Sequence, residues 1–184
     1  MEEVSWTIPE ALERVRAGDQ TFTVFQQWVS SEEINDENVS EFVDALIAHP
    51  NNLRFIHIKH SIITDVGCGK IAEFVKQSNI IEGVCISKSP ITTKTHFAFA
   101  DALQVNKSLR ILKLYNEKIT HDTKVANAFV AALVMNPRPV FDLRTEWILF
   151  FSRHDYGKDY EILKTQAEKL SYFPLQQSLL QLID

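Results

Sequence analysis

Apolar residues in the middle of the chain recur at a fixed spacing. The spacing is an apolar residue, a second one three positions later and a third two positions after that. It occurs in three segments, which begin at Leu53, Ile81 and Leu109, at intervals of 28 residues. Because a period of this length is typical of repeat architectures, we predict stacked strand–turn–helix units. The same period is kept by the isoleucines Ile63, Ile91 and Ile119.

The second half of each unit has the spacing of an amphipathic helix. Two inward apolar residues lie four positions apart, which places both on one helical face. In the second unit, Thr64 and Asp65 form a helix-start signal, with a hydroxyl side chain available to cap the helix. The inward pairs are Phe42/Leu46, Ile71/Val75, Phe99/Leu103 and Phe129/Leu133.

The pattern extends in both directions. Counting back from Leu46, we expect a first unit near Val24, with Val24, Gln27 and Val29 at core positions. Toward the C-terminus, a distorted fifth unit is expected around residues 141–148. Residues Pro9–Arg16 predict a short helix that covers the first end of the stack, since terminal repeats must shield the core.

We therefore predict a single α/β domain over residues 1–184. Its parts are an N-terminal cap (1–20), repeats (21–148), and a distorted last repeat with a C-terminal helical cap (149–184).

The units from Leu53 to Asn136 resemble leucine-rich repeats of the ribonuclease-inhibitor type. The opening segment ALERVRAGDQTFTVF is similar to the opening of tropomodulin-type repeat domains. The resemblance implies an α/β leucine-rich-repeat solenoid of about five strand–turn–helix repeats with N- and C-terminal helical caps. One feature departs from that family, whose turn asparagine is replaced here by Ser61, Ser89 and Glu117. Serine makes the corresponding hydrogen bonds more weakly.

Alternation along each strand predicts an exposed, concave sheet face opposite the helices. Its expected rows across the strands are Gln26, Phe55, Gly83, Ile111, Val140, then Trp28, His57, Cys85, Lys113, Asp142, then Ser30, Lys59, Ser87, Tyr115, Arg144. Aromatic and basic side chains of these kinds are enriched at protein interfaces. The predicted protein-binding residues are Trp28, Phe55, His57, Lys59, Ile111, Lys113, Tyr115, Asp142 and Arg144. Scattered exposed apolar residues are also normal on surfaces, so the helices, the insertion 150–159 and the C-terminal helix remain alternative contact sites.

Charge and composition restrict the classes of partner and the cellular compartment that we expect. The net charge of −5 disfavours nucleic acid and anionic membranes as partners. No apolar run approaches about 18 residues, and the first residues lack a secretory signal. Cys68 and Cys85 indicate a reducing compartment rather than a disulfide framework. We expect a cytoplasmic monomer, or a protein secreted without a Sec signal into a host cytoplasm.

Reactive side chains form no convincing catalytic or metal site in the sequence. His57 is predicted beside Cys85, the arrangement of a cysteine nucleophile, but an open sheet provides no pocket and Asp142 lies two strands from Cys85. His57 and His60 point to opposite faces, and no second pair completes a metal site. Gly67–Lys70 lacks the first glycine and the hydroxyl residue of a phosphate loop.

These observations predict a non-enzymatic module, without cofactor, that recognises a partner protein on the concave sheet face. A narrower hypothesis is a secreted bacterial effector acting on a host protein. The alternatives are a tropomodulin-like cytoskeletal module and a cysteine hydrolase that uses Cys85 and His57.

Overall fold

Helices and strands alternate along the chain. The computed structural model describes residues 6–27, 34–115, 124–125, 128–129 and 131–132. The elements are α1 (Ile8–Arg16), β1 (Val24–Gln27), α2 (Asp36–Ala48), β2 (Phe55–Lys59), α3 (Asp65–Gln77), β3 (Gly83–Ser87), α4 (Thr93–Val105) and β4 (Ile111–Tyr115). The four strands form a parallel sheet in the order β1-β2-β3-β4, so each strand lies beside the next one along the chain.

The predicted α/β class is confirmed, and the finer prediction of a five-repeat leucine-rich solenoid is not shown. The described residues contain four parallel strands and four helices, with further helical backbone within 124–132. The predicted fifth unit and the C-terminal cap (149–184) lie outside the described residues.

The core lies between the sheet and the helices. The inward pairs of α2, α3 and α4 are all buried, and so is Phe129, as the helical periodicity predicts. Leu133 lies outside the described residues. Between these helices and the sheet, alternate strand residues such as Ile56, Ile58, Val84 and Ile86 are almost fully inaccessible to solvent. Each such side chain contributes roughly 1.5–3 kcal/mol of transfer free energy.

The first unit starts two residues earlier than predicted. Its core positions are held by Phe22, Phe25 and Gln27, whereas Val24 is 37% exposed. The pairing of Phe25 with Ile56 fixes this register. Counting back from α2 gave the wrong register because the connection between β1 and α2, counted from paired strand residues, is two residues longer than those between β2 and α3 and between β3 and α4. The predicted core residue Val29 lies outside the described residues.

The short helix predicted near the N-terminus is present as α1, which packs against α2. Thr7 caps α1, and its backbone N–H donates to the Glu10 carboxylate at 2.9 Å. The backbone N–H of Trp6 donates to the carbonyl of Gln26 at 2.9 Å. This hydrogen bond satisfies a backbone carbonyl on the edge strand β1. Covering an edge strand in this way protects it from pairing with another chain.

Carboxylates at the starts of α2 and α3 link each of these units to the next. Asp36, at the start of α2, accepts hydrogen bonds from the Thr64 backbone N–H at 2.8 Å, the Thr64 hydroxyl at 2.6 Å and the Gly67 N–H at 2.9 Å. Asp65, at the start of α3, repeats the arrangement one unit later. It accepts from the N–H and the hydroxyl of both Thr92 and Thr95, at 2.6–3.2 Å.

We call the contacts of Asp36 with Thr64 and of Asp65 with Thr92 the aspartate–threonine ladder. Against the effect of burial, the hydrogen bonds of this ladder lower the pKa of both carboxyl groups. Burial is the largest single effect and raises the pKa of Asp36, but the hydrogen bonds from Thr64 and Gly67 together hold that pKa below its ordinary value. The pKa of Asp65 is lowered in the same way, against burial, by hydrogen bonds from Thr92 and Thr95. Both groups are therefore ionised acceptors at neutral pH.

Candidate protein-binding face

One face of the sheet points away from the helices, and we call it the open face. Its residues alternate with the buried ones along each strand, as the burial of β2 shows. The strand register places them in three rows. The apolar row is Val24, Phe55, Gly83 and Ile111, the middle row is Gln26, His57, Cys85 and Lys113, and the terminal row is Lys59, Ser87 and Tyr115.

The apolar row is continuous across β2, β3 and β4 because of a glycine. A Cβ atom at Gly83 would lie 2.5 Å from Cδ1 of Phe55, so the Phe55 ring extends across the neighbouring strand at this point. On the other side, the Cβ of Ile111 lies 3.5 Å from the same position. Ile111 is 45% exposed, and Val24 continues the row at the β1 edge. The row therefore presents hydrophobic surface that the helices do not cover.

The middle row contains the predicted His57–Cys85 pair, which the register confirms as neighbours. Burial raises the pKa of the Cys85 thiol, and the ammonium groups of Lys113 and Lys59 offset only part of that effect. A nucleophilic cysteine needs the opposite shift, because the thiolate is the reactive species. Cys68 lies in α3 with its pKa raised to about 12 by burial. Both cysteines are free thiols.

The terminal row leads into two turns of identical conformation. His60 and Lys88, which directly follow β2 and β3, both adopt left-handed backbone conformations, with φ of 57° and 56°. The two turns are held side by side. The His60 N–H donates to the Ser87 carbonyl at 3.1 Å, and the buried hydroxyls of Ser61 and Ser89 are 2.8 Å apart. Serine thus replaces the turn asparagine by bonding directly between neighbouring units.

The ends of β2 and β3 are basic. The pKa of His60 is lowered by burial first, and then by the positive charges of Lys88 and Lys59. No aspartate or glutamate occurs in residues 55–61, 83–89 or 111–115. At the opposite ends of the strands, Arg54 instead forms a 3.0 Å salt bridge with Glu82. The carboxylates of α2, α3 and α4 lie on the helical side of the sheet, at Asp36, Glu37, Glu41, Asp44, Asp65, Glu73 and Asp101.

The structure brings together five of the predicted binding residues. Phe55, His57, Lys59, Ile111 and Lys113 lie on the open face, which is the face predicted as concave.

The other predicted binding residues are described only in part or lie outside the described residues. Tyr115 belongs to β4 opposite Ser87, and its side chain is not described. Trp28, Asp142 and Arg144 lie outside the described residues. Gln26 was predicted for the apolar row and lies instead in the middle row, opposite His57, because of the two-residue shift in the first unit.

Sequence reasoning missed three residues of this surface. Val24 was assigned to the core, although Phe22, Phe25 and Gln27 repeat the apolar spacing and would have corrected the register. His60 and Lys88 were omitted because they follow the strands. Their equivalence was visible in the 28-residue period, but their left-handed conformation was not.

Neither a metal site nor a membrane-spanning helix occurs among the described residues. Within the described residues, no group of three His, Cys, Asp or Glu side chains is arranged to hold a metal ion. None of the described helices combines the length and apolar character needed to cross a membrane.

Comparison with solved structures finds the same fold in a leiomodin and in a tropomodulin domain. The chain is similar to actin-binding site 2 of leiomodin-1, with a TM-score of 0.63 and 21% identity over 90% of this chain and 99% of that one. It is also similar to the C-terminal domain of a Caenorhabditis elegans tropomodulin, with a TM-score of 0.60 and 13% identity over 89% of this chain and 99% of that one. Protein-family models and curated proteins give no match. The fold is therefore tropomodulin-like.

These comparisons correct the family prediction. The assignment to leucine-rich repeats of the ribonuclease-inhibitor type is wrong, and so is the bacterial-effector hypothesis, because the similar folds are a leiomodin and a tropomodulin domain. A 28-residue period arises from a parallel strand followed by a helix of three to four turns, so it reports the geometry of the unit rather than the family. The similarity of the opening segment to tropomodulin-type domains agrees with the comparisons.

Proposed function

We propose that this chain is a non-enzymatic cytoskeletal module that binds actin. The observation that carries the proposal is the shared fold with actin-binding site 2 of leiomodin-1, which spans 90% of this chain and 99% of that one. Coverage of this extent means that most of the unit is shared. A cytoplasmic location accompanies this proposal.

The open face is the proposed contact surface. It combines exposed apolar side chains with basic groups, which is the composition of protein-binding surfaces rather than of a reaction centre. Ile111 and Phe55 supply apolar area, and Lys59 and Lys113 flank it. The remaining predicted residues, Trp28, Tyr115, Asp142 and Arg144, extend the proposed surface by sequence position.

The cysteine-hydrolase alternative receives no support from the open face. The raised pKa of Cys85 keeps the thiol protonated, and its neighbours in the middle row are Lys113 and His57 on a flat sheet. Replacing Cys85 by serine is expected to leave binding unchanged, since the two side chains are similar in size.

Co-sedimentation with actin filaments tests the proposal. The full chain is incubated with increasing filament concentrations, and the fraction in the pellet gives the dissociation constant. We expect saturable binding that Cys85→Ser retains. The absence of saturable binding to filaments, together with no binding to monomeric actin in a fluorescence titration, would refute the proposed function.

A further inference from the structure

We propose that the open face binds a segment of the partner protein in which an apolar side chain is followed by carboxylates, with the carboxylates lying against Lys59, Lys88 and His60. The inference deepens the proposed function by stating the chemistry of the partner surface. It rests on the arrangement of the three rows rather than on the comparisons.

Positive charge is concentrated at the ends of β2 and β3. The strand ends and turns from Lys59 to Ser61 and from Ser87 to Ser89 carry cationic or titratable nitrogen groups and no carboxylate. The chain as a whole has a net charge of −5, so this concentration of positive charge runs against its composition. A basic surface on an acidic protein directs an acidic partner to one place and repels it elsewhere.

The turns after β2 and β3 hold these groups in fixed positions. His60 and Lys88 occupy equivalent places in adjacent units, joined by the His60–Ser87 hydrogen bond and the buried Ser61–Ser89 contact. Both backbones are left-handed, a conformation that is strained for a residue with a Cβ. The surrounding contacts therefore impose the geometry, and the two side chains project from a rigid support.

A fixed distance separates the apolar row from the terminal row. Successive residues on one face of a strand are about 6–7 Å apart, so the apolar row lies about 13 Å from the terminal row. Within one row, neighbouring strands are about 4.8 Å apart. A partner segment running along the strands would place its apolar side chain at Phe55 and Ile111 and its carboxylates about four residues further on, over Lys59 and Lys88. The commitment is to a protein segment, because the net charge of −5 disfavours nucleic acid as a partner.

Charge reversal with a matched control tests the inference. Lys59→Glu/Lys88→Glu changes the basic end of the open face, and Lys94→Glu/Lys107→Glu makes the same change in net charge at exposed positions elsewhere. Binding to actin filaments is measured by co-sedimentation at about 0.05 M and about 0.3 M salt. We expect the first variant to lose at least about tenfold in affinity at low salt, and the control to stay within about twofold. The difference is expected to shrink at high salt.

A second pair of variants tests the apolar row. Ile111→Ser is compared with Val66→Ser, since these side chains are 45% and 64% exposed and neither change opens the core. We expect about a fivefold loss for Ile111→Ser and none for the control. Lys88→Glu alone repeats the charge test in an exposed turn, in case the double variant unfolds, and circular dichroism verifies the fold of each protein.

The outcomes separate the inference from the proposed function. Equal affinity of the two charge-reversal variants for actin would overturn the inference and leave actin binding intact. If the wild type does not bind actin, the proposed function fails, and a fluorescent decapeptide with one leucine followed by glutamates becomes the probe. Peptide binding that Lys88→Glu weakens at least about fivefold supports the inference. No peptide binding, or tighter binding of a single-stranded oligonucleotide of equal charge, overturns it.

Discussion

Two glycines in the first turns of α3 should respond to alanine in opposite directions. Gly67 lies against the carboxylate of Asp36, and a Cβ at this position would be 2.7 Å from Oδ1 of Asp36 and in closer contact with Cγ2 of Ile63. Gly69, two residues later in the same helix, has no atom within 4 Å of the corresponding position. The two substitutions therefore share their chemistry and their helix, and differ only in their surroundings.

The magnitudes follow from three effects. Alanine stabilises a helix interior by about 1 kcal/mol relative to glycine at either site. At position 67, overpacking costs about 1–3 kcal/mol. Displacing Asp36 also weakens its 2.9 Å hydrogen bond from the backbone N–H of residue 67, and bonds to charged groups contribute about 1.5–3 kcal/mol. Gly67→Ala should therefore destabilise by about 2–4 kcal/mol, and Gly69→Ala should stabilise by about 1 kcal/mol.

Urea denaturation followed by circular dichroism measures both changes. The expected result is a lower midpoint for Gly67→Ala and a higher one for Gly69→Ala, with unchanged slopes. In an Asp36→Ala background, Gly67→Ala should cost less, because the oxygen that it displaces is gone. An equal or higher midpoint for Gly67→Ala than for Gly69→Ala would refute the close approach of α2 and α3 on which the reasoning depends.

Three further predictions concern the ladder, the turns and the thiols. Asp65→Asn should destabilise by about 2–4 kcal/mol in urea denaturation, because it weakens charge-assisted hydrogen bonds from two threonines. The lowered pKa values of Asp36 and Asp65 mean that their stabilisation is complete at neutral pH and is lost as the pH falls below about 4. Thermal melts from pH 6 to pH 2 should therefore be less acid-sensitive in Asp65→Asn, and an unchanged pH profile would contradict the assignment. Lys88→Gly should raise the free energy of unfolding by about 0.5–1 kcal/mol, since glycine adopts the left-handed conformation without strain, and a lower urea midpoint would contradict this. Labelling with a thiol reagent at pH 8 should modify Cys85 slowly and Cys68 only on unfolding, and rapid labelling of Cys68 would contradict its burial.

Much of the unit structure was predictable because it depends on contacts between residues close in sequence. The inward helical pairs and the cap at Thr64 follow from helical periodicity and hydroxyl capping, which operate within a few residues. The side-by-side arrangement of Phe55, Gly83 and Ile111 follows from equal unit lengths, which place equivalent residues opposite each other.

The rest depends on contacts that cross between units. The ladder from Asp36 to Thr64 joins residues 28 positions apart through the packing of two helices, which no local pattern specifies. The position of Val24 was misjudged because the first unit is longer than the others, so periodic counting lost register there. The family was misjudged because period and spacing describe a parallel strand and its helix, which distinct families share.

The aspartate–threonine ladder gives the chain a direction of assembly. The starts of α3 and α4 each receive an acceptor carboxylate from the preceding unit, so Thr64 depends on Asp36 and Thr92 depends on Asp65. During synthesis, which proceeds from the N-terminus, α3 and α4 therefore emerge beside a neighbour that already presents their anchor. Shortening the chain from its C-terminal end releases a carboxylate into water at small cost. Shortening it from the N-terminal end leaves Thr64 and the Gly67 N–H without their acceptor, so deletions of equal size should be far better tolerated at one end than at the other.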